Sequence, residues 1–157
     1  MQIRILVDTN VFIVGFLGLS QQEENVESQI LRQLADQRRF TLLFSNELSD
    51  QIRRVARRVG GKDWTGLLLN FIWQTFNIEI VLIPELIEVF ERYKGKIPSE
   101  DILVFVTATL GQADCLISRN HEFVRRAVAE QDAFECLAPA EFLAKRSTKE
   151  GEGDGPR

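Results

Sequence analysis

Histidine occurs once in this chain, at His121, and cysteine twice, at Cys115 and Cys136. One imidazole cannot build a histidine-rich metal site, and it makes a Ser-His-Asp triad an unlikely arrangement. Two cysteines inside apolar stretches read as buried thiols, not as a disulfide scaffold or a zinc site. No apolar run approaches the ~20 residues that span a membrane. The start, MQIRILVDTN, lacks the apolar stretch and cleavage region of a secretory signal, so a cytoplasmic location is the expectation. Positive charge is also in deficit: the formal net charge is -4. There is no overall attraction to nucleic acid, although a local basic patch can still hold a phosphate backbone beside an acidic centre. Neither GxGxxG nor a Walker A sequence follows the first apolar run, which removes the main support for a nucleotide-binding reading.

What is present is one domain's worth of sequence, 157 residues, 45% hydrophobic and 27% charged. Such a chain buries roughly two thirds of its unfolded surface. Gln2 to Val7 contains a short apolar run suited to a buried strand, and Val11 to Leu19 reads as the first turns of a helix that ends in a Gly-rich bend at Gly15 and Gly18. Glu23 to Gln37 has helical spacing, with Val26, Ile30, Leu31, Leu34 and Ala35 on one side. Phe40–Phe44 reads as the second strand. Ser45 caps a helix carrying Leu48, Ile52, Val55, Ala56 and Val59 inward, and Gly60-Gly61 stops it.

A further helix over Trp64–Phe76 precedes a third strand at Glu79–Ile83, closed by Pro84. Helix follows over Glu85–Tyr93. Ser99 then caps a helix to about Leu110 that holds Asp101 in its first turn. Strands at Asp114–Ser118 and Phe134–Leu137 flank a helix over Glu122–Gln131, and Pro139 starts a short terminal helix. The alternation predicts a three-layer α/β/α sandwich with a mostly parallel five-stranded sheet. The domain is expected over residues 1–146. The Gly-rich stretch 147–157 reads as a disordered tail.

Three carboxylates fall at element ends: Asp8 after strand one, Asp101 opening a helix, and Asp114 at the start of strand four. Strand ends in open α/β sheets gather ligands. Carboxylates brought together there repel, and a divalent cation of the Mg²⁺ or Mn²⁺ kind relieves them. A cation so held can activate water and neutralise charge on a phosphodiester.

The segments RILVDTNVFI at residues 4–13, PSEDILVFVTATLGQADCLISRN at 98–120 and APAEFL at 138–143 resemble the PIN-domain family, small metal-dependent ribonucleases that include toxins of toxin–antitoxin pairs. The resemblance agrees with the fold above. It implies Asp8 and Asp101 as metal-binding acids, with Thr9 or Asn10 supporting the first and Thr107-Ala108 closing the helix that Asp101 opens. Asp114 resembles a further acid of one branch of the family. Ser118 stands where a hydroxyl polarises the site, and Asn120 where members carry Asp or Asn. The family's helical glutamate falls on Gln51, which binds a hard cation more weakly than a carboxylate. Glu47, one helical turn earlier, is the alternative carboxylate. Glu122 either caps the following helix or adds charge around the site.

Arg53, Arg54, Arg57, Arg58 and Lys62 form a basic stretch with no acid from Ile52 to Lys62. The i,i+4 pairs within it suit a phosphate backbone, a solvated face or an antitoxin contact. Arg119, beside the proposed site, is the better candidate for touching a scissile phosphate. His121 reads as a surface residue near a helix cap. Trp64, Phe71, Trp73 and Phe76 read as core or as a homodimer face.

The resemblance therefore implies an Mg²⁺- or Mn²⁺-dependent endoribonuclease acting on single-stranded or loop RNA, with an antitoxin protein and a second copy as expected partners. The other reading is a PIN-like domain with weakened catalysis that serves as a nucleic-acid-binding or protein-interaction module. An aspartate-nucleophile hydrolase lacks its DxD sequence after strand one.

Overall fold

The computed structural model describes residues 2–153, with side chains described over residues 2–146. Five strands, β1 (Ile3–Val7), β2 (Phe40–Phe44), β3 (Ile78–Ile80), β4 (Cys115–Ile117) and β5 (Glu135–Leu137), form one sheet in the order β3-β2-β1-β4-β5. All four pairings are parallel. The helices are α1 (Thr9–Ser20), α2 (Val26–Leu34), α3 (Asn46–Thr75), α4 (Leu86–Tyr93), α5 (Ile102–Leu110), α6 (His121–Glu130) and α7 (Pro139–Gly153). Right-handed crossovers put α1, α2 and α3 on one face and α4, α5 and α6 on the other. The result is the three-layer sandwich expected from the alternation of apolar runs.

Strands buried on both faces read as continuous apolar runs. Every residue of β2, FTLLF, is buried. Ile5, Leu6, Leu42, Leu43 and Leu116 at the centre of the sheet are fully buried, as are Phe12, Ile30, Ile52 and Phe123 from the helices against it. Chain order runs outward from β1 through β2 to β3, then returns to β4 on the other side of β1. The carboxyl ends of β1 and β4 therefore flank a topological switch point, where open α/β folds leave a crevice.

Several boundaries differ from those the sequence suggests. Gly15 and Gly18 do not end α1; they lie within it, because α2 crosses there. A Cβ on Gly15 would stand 2.6 Å from Leu31 Cδ1, and one on Gly18 would stand 2.2 Å from Ser28 Oγ. At Gly61 the expected stop is present: φ 86° and ψ -178° interrupt α3, which is two helices meeting at this kink. Beyond the kink Trp64 and Phe71 pack on Phe16, with ring centroids 5.4 and 5.0 Å away.

Strand β3 ends at Ile80, short of Pro84, and forms an open edge of the sheet. Leu82 just past it is 76% exposed and Ile87 on α4 is 81% exposed, with Trp73, Ile80, Leu86 and Phe90 also open to solvent. Helix α7 continues past Ser147, where composition places the start of a tail. The last residues of that tail, 154–157, lie outside the described residues. Among the described residues no helix is long and apolar enough to cross a membrane.

Candidate active site

Asp8 is the residue at which β1 gives way to α1. Its extended backbone lets it cap α1, the Oδ1 accepting from Thr9 N–H at 2.8 Å. Its other oxygen, Oδ2, accepts the Ser118 hydroxyl at 2.6 Å, just past the carboxyl end of β4. Both Asp8 and Ser118 are buried. Burial raises the Asp8 carboxyl above its ordinary value, while the Ser118 and Thr9 hydrogen bonds pull in the opposite direction.

Asp101 arrives from the other face. Pro98 is followed by a 3-10 turn over Ser99–Asp101, and α5 begins only at Ile102. Asp101 thus precedes the helix instead of sitting in its first turn, and its carboxylate makes no capping bond. It is free to turn toward the crevice, where Asn120 Nδ2 donates to its Oδ2 at 3.1 Å. Burial, then the charge of Asp8, then that of Glu100 push the Asp101 carboxyl up to about 7, against the lowering effect of Asn120. The Asn120 N–H donates to Ser118 Oγ at 3.1 Å, so Asp8 and Asp101 are joined through Ser118 and Asn120.

Gln51 joins them from the second turn of α3. Its Oε1 accepts the Thr9 hydroxyl, and its Nε2 donates to the Glu100 carbonyl at 3.1 Å. Ser45 caps α3 through Leu48 N–H at 3.2 Å and meets the Thr107 hydroxyl at 2.9 Å, which pins the start of α3 to α5. Asp8, Thr9, Gln51, Asp101, Ser118 and Asn120 thus form one hydrogen-bonded set around the switch point.

Other expected members are elsewhere. Asp114 precedes β4, and because β4 runs parallel to β1 it lies at the opposite end of the sheet from Asp8. It accepts from Arg4 N–H at 2.8 Å, four positions before Asp8 and so about 13 Å from it along the strand. Asp114 is therefore not part of this acidic set. Glu47 is half-buried and lines a neighbouring groove. Asn10 is also exposed, one residue beyond Thr9. Glu122 turns outward and pairs with Arg125 and Arg126, both at 2.7 Å. Arg119 is held by Glu27 at 3.1 Å, which anchors the loop carrying Ser118 and Asn120 to α2. Glu27 was not among the expected residues; its position on the Ile30–Leu31–Leu34 face of α2 is the signal that could have revealed it.

The groove beside the site has a volume of about 670 Å³ and lies between α3 and the α4–α5 layer. Gln51 and Glu100 link it to the acidic pair; Arg54, Arg57 and Arg58 give it positive charge, and Phe90, Leu103 and Val104 an apolar wall. Arg53 is drawn aside by Asp50 at 3.0 Å. Lys62 follows the Gly61 kink and is not in the groove lining.

Among the described residues no group of three or more His, Cys, Asp or Glu side chains converges. Two buried, mutually repelling carboxylates nevertheless fit a small hard cation, which commonly takes one or two carboxylates and completes its shell with water and substrate oxygens. Asp8 and Asp101 are the residues that could hold it.

The chain belongs to the PIN domain family, whose model matches residues 4–122. Its fold is similar to two solved structures. One is VapBC2 from Rickettsia felis bound to a DNA fragment from their promoter, at 15% identity and a TM-score of 0.59, covering 87% of this chain and 98% of that one. The other is FitAcB from Neisseria gonorrhoeae, at 17% identity and a TM-score of 0.56, with the same coverage of 87% and 98%. No curated protein matches the sequence.

Proposed function

We propose that the chain is a divalent-cation-dependent endoribonuclease acting on single-stranded or looped RNA at the Asp8–Asp101 pair. The observation that carries this reading is the meeting of two buried carboxylates at the switch point, with Asp101 pushed up to about 7 beside Asp8. Membership of the PIN domain family supports it.

When bound, an Mg²⁺ or Mn²⁺ ion would neutralise the pair, lower the pKa of water and offset charge on the phosphodiester. The protein's own residues prepare the place. Ser118 and Thr9 hold Asp8 by both oxygens, and Asn120 steers Asp101. Arg54, Arg57 and Arg58 supply charge for the flanking phosphates, while Phe90 offers a face on which a base can rest. Hydrolysis by direct attack of water leaves 5′-phosphate and 3′-hydroxyl ends.

The exposed side chains of Leu82, Leu86 and Ile87 support a protein partner, in keeping with a toxin that an antitoxin restrains or that pairs with a second copy. The unpaired buried thiols Cys115 and Cys136 accord with a cytoplasmic setting.

The test is incubation of tag-free protein with mixed, end-labelled single-stranded RNA and Mn²⁺, with EDTA and Asp101→Ala as controls. Cleavage that both controls abolish is expected. Cleavage that persists in EDTA would overturn the cation dependence. A second reading, an RNA-binding or protein-interaction module without catalysis, is favoured by the neutral amides at Gln51 and Asn120. It predicts no cleavage in Mn²⁺ and an RNA affinity that EDTA leaves unchanged.

A further inference from the structure

Around Asp8 and Asp101 stand two amides, and in each case both ends of the amide are engaged. Gln51 accepts the Thr9 hydroxyl and donates to the Glu100 carbonyl. That carbonyl can only accept, so a carboxylate at position 51 would confront it with a second acceptor. The result is a strut. Thr9 adjoins Asp8 and Glu100 adjoins Asp101, so one side chain fastens the entrance of α1 to the turn that presents the second acid.

Asn120 is built the same way. Its Nδ2 donates to Asp101 Oδ2 at 3.1 Å, and its Oδ1 caps α6 by accepting from Phe123 N–H at 3.3 Å. An aspartate there could keep the cap but would turn the donor toward Asp101 into a like charge. Both amides thus counter the repulsion of the acidic pair with donors or ties that belong to the protein itself.

We propose that Gln51 and Asn120 are positioning residues that keep Asp8 and Asp101 assembled in the cation-free chain, and that the chain consequently binds a divalent cation weakly by itself and takes it up together with a phosphate group. The inference rests on the nuclease reading for the place of the cation. Two carboxylates leave most of a hard cation's coordination to water and to phosphate oxygens. Acids at positions 51 and 120 would reverse both properties. The protein would then hold the cation without help, and the cation-free site would be forced apart by its own charge.

The experiment uses the full chain stripped of metal, with Mn²⁺ binding followed by electron paramagnetic resonance of the free ion and melting followed in EDTA. The variants are Gln51→Glu, Asn120→Asp and Gln51→Ala. Both acid variants are expected to bind Mn²⁺ at least about tenfold more tightly than the wild type, and to melt below it in EDTA. Gln51→Ala is expected to melt lower without binding Mn²⁺ more tightly, which separates the loss of the strut from the gain of charge. Saturating adenosine 5′-monophosphate is expected to tighten Mn²⁺ on the wild type, and to do so less on Gln51→Glu.

Wild-type protein that binds Mn²⁺ as tightly as both acid variants, or that ignores the nucleotide, would overturn the proposal. Should Gln51→Glu fail to fold, Asn120→Asp carries the comparison. Failure to cleave RNA with these affinity differences intact would remove the nuclease reading alone. Cation-dependent cleavage without the affinity differences would remove this inference alone.

Discussion

Ser118 donates its hydroxyl to Asp8 Oδ2 at 2.6 Å across 110 positions of sequence, and the bond closes the switch point between β1 and β4. The acceptor is a buried carboxylate, so losing the donor costs about 1.5–3 kcal/mol where Asp8 is ionised. Ser118→Ala is therefore expected to destabilise the chain by up to that amount at the alkaline end of its stability range. Because the Ser118 bond lowers the Asp8 carboxyl, the loss should shrink as the pH falls and Asp8 takes up its proton. Urea denaturation at pH 8 and near pH 4 checks this; equal losses at the two pH values would contradict it.

Asp101 gives the opposite sign. Its carboxyl lies at about 7 in the folded chain against 3.8 when unperturbed. A raised carboxyl favours folding below its unfolded value, and that contribution is lost as the pH rises through the folded one. Asp101→Asn cannot ionise and keeps an oxygen for Asn120. In EDTA at pH 8 it is expected to melt about 5 °C above the wild type. The gap should close toward pH 4, and thermal melts at a series of pH values would show whether it does. RNA cleavage by the same variant is expected to fall about a hundredfold or more, since the cation loses one of its two carboxylates.

The groove divides the basic residues of α3 into two groups. Arg54, Arg57 and Arg58 line it, whereas Arg53 pairs with Asp50 and Lys62 stands outside. Alanine at any of the first three should weaken RNA binding and reduce the salt slope by about 0.7, the value for one lost contact to a single strand. Arg53→Ala and Lys62→Ala should leave the slope unchanged. Binding isotherms across a salt series decide the point.

Two glycines of α3 should respond in opposite directions to alanine. At neither Gly61 nor Gly66 would an added Cβ meet anything within 4 Å, so sterics do not separate them. Gly61 has φ +86° and ψ -178°, a region essentially reserved for glycine, and Gly61→Ala should destabilise by about 1–3 kcal/mol. Gly66 carries no positive φ, and Gly66→Ala should stabilise by about 0.5–1 kcal/mol. Denaturant midpoints for the two variants, read side by side, test the contrast.

The layers of the fold were legible because buried parallel strands and amphipathic helices leave different periodicities, as FTLLF and the Val26–Leu34 pattern do. Asp8 stood out as an acid directly after an apolar strand, and Asp101 as an acid between the Pro98-Ser99 helix start and the apolar run from Ile102. Asp114 misled because adjacency to a strand does not say which end of the sheet the residue occupies. That depends on the direction in which β4 pairs with β1. Glu47 misled for a related reason: sharing a helix face with Gln51 does not bring a side chain to the crevice. The stop at Gly60-Gly61 was legible because glycine accommodates the positive φ that interrupts α3 at Gly61. Glu27 could be noticed as an acid on an apolar helix face, but what it holds is set by its partner, Arg119.

The open edge at β3 bears on how the chain behaves in solution when expressed without a partner. A parallel sheet normally protects its border, yet here Ile80 and, just past the strand, Leu82 are exposed, with Glu79 the one charge within β3. An uncapped strand of this kind is a template for adding another. Colloidal repulsion from a net charge of -4 is modest for a chain of 157 residues. Yield and shelf life of the purified protein should therefore depend on what covers that border. A Leu82→Lys substitution would act there as a gatekeeper while leaving Asp8 and Asp101 untouched.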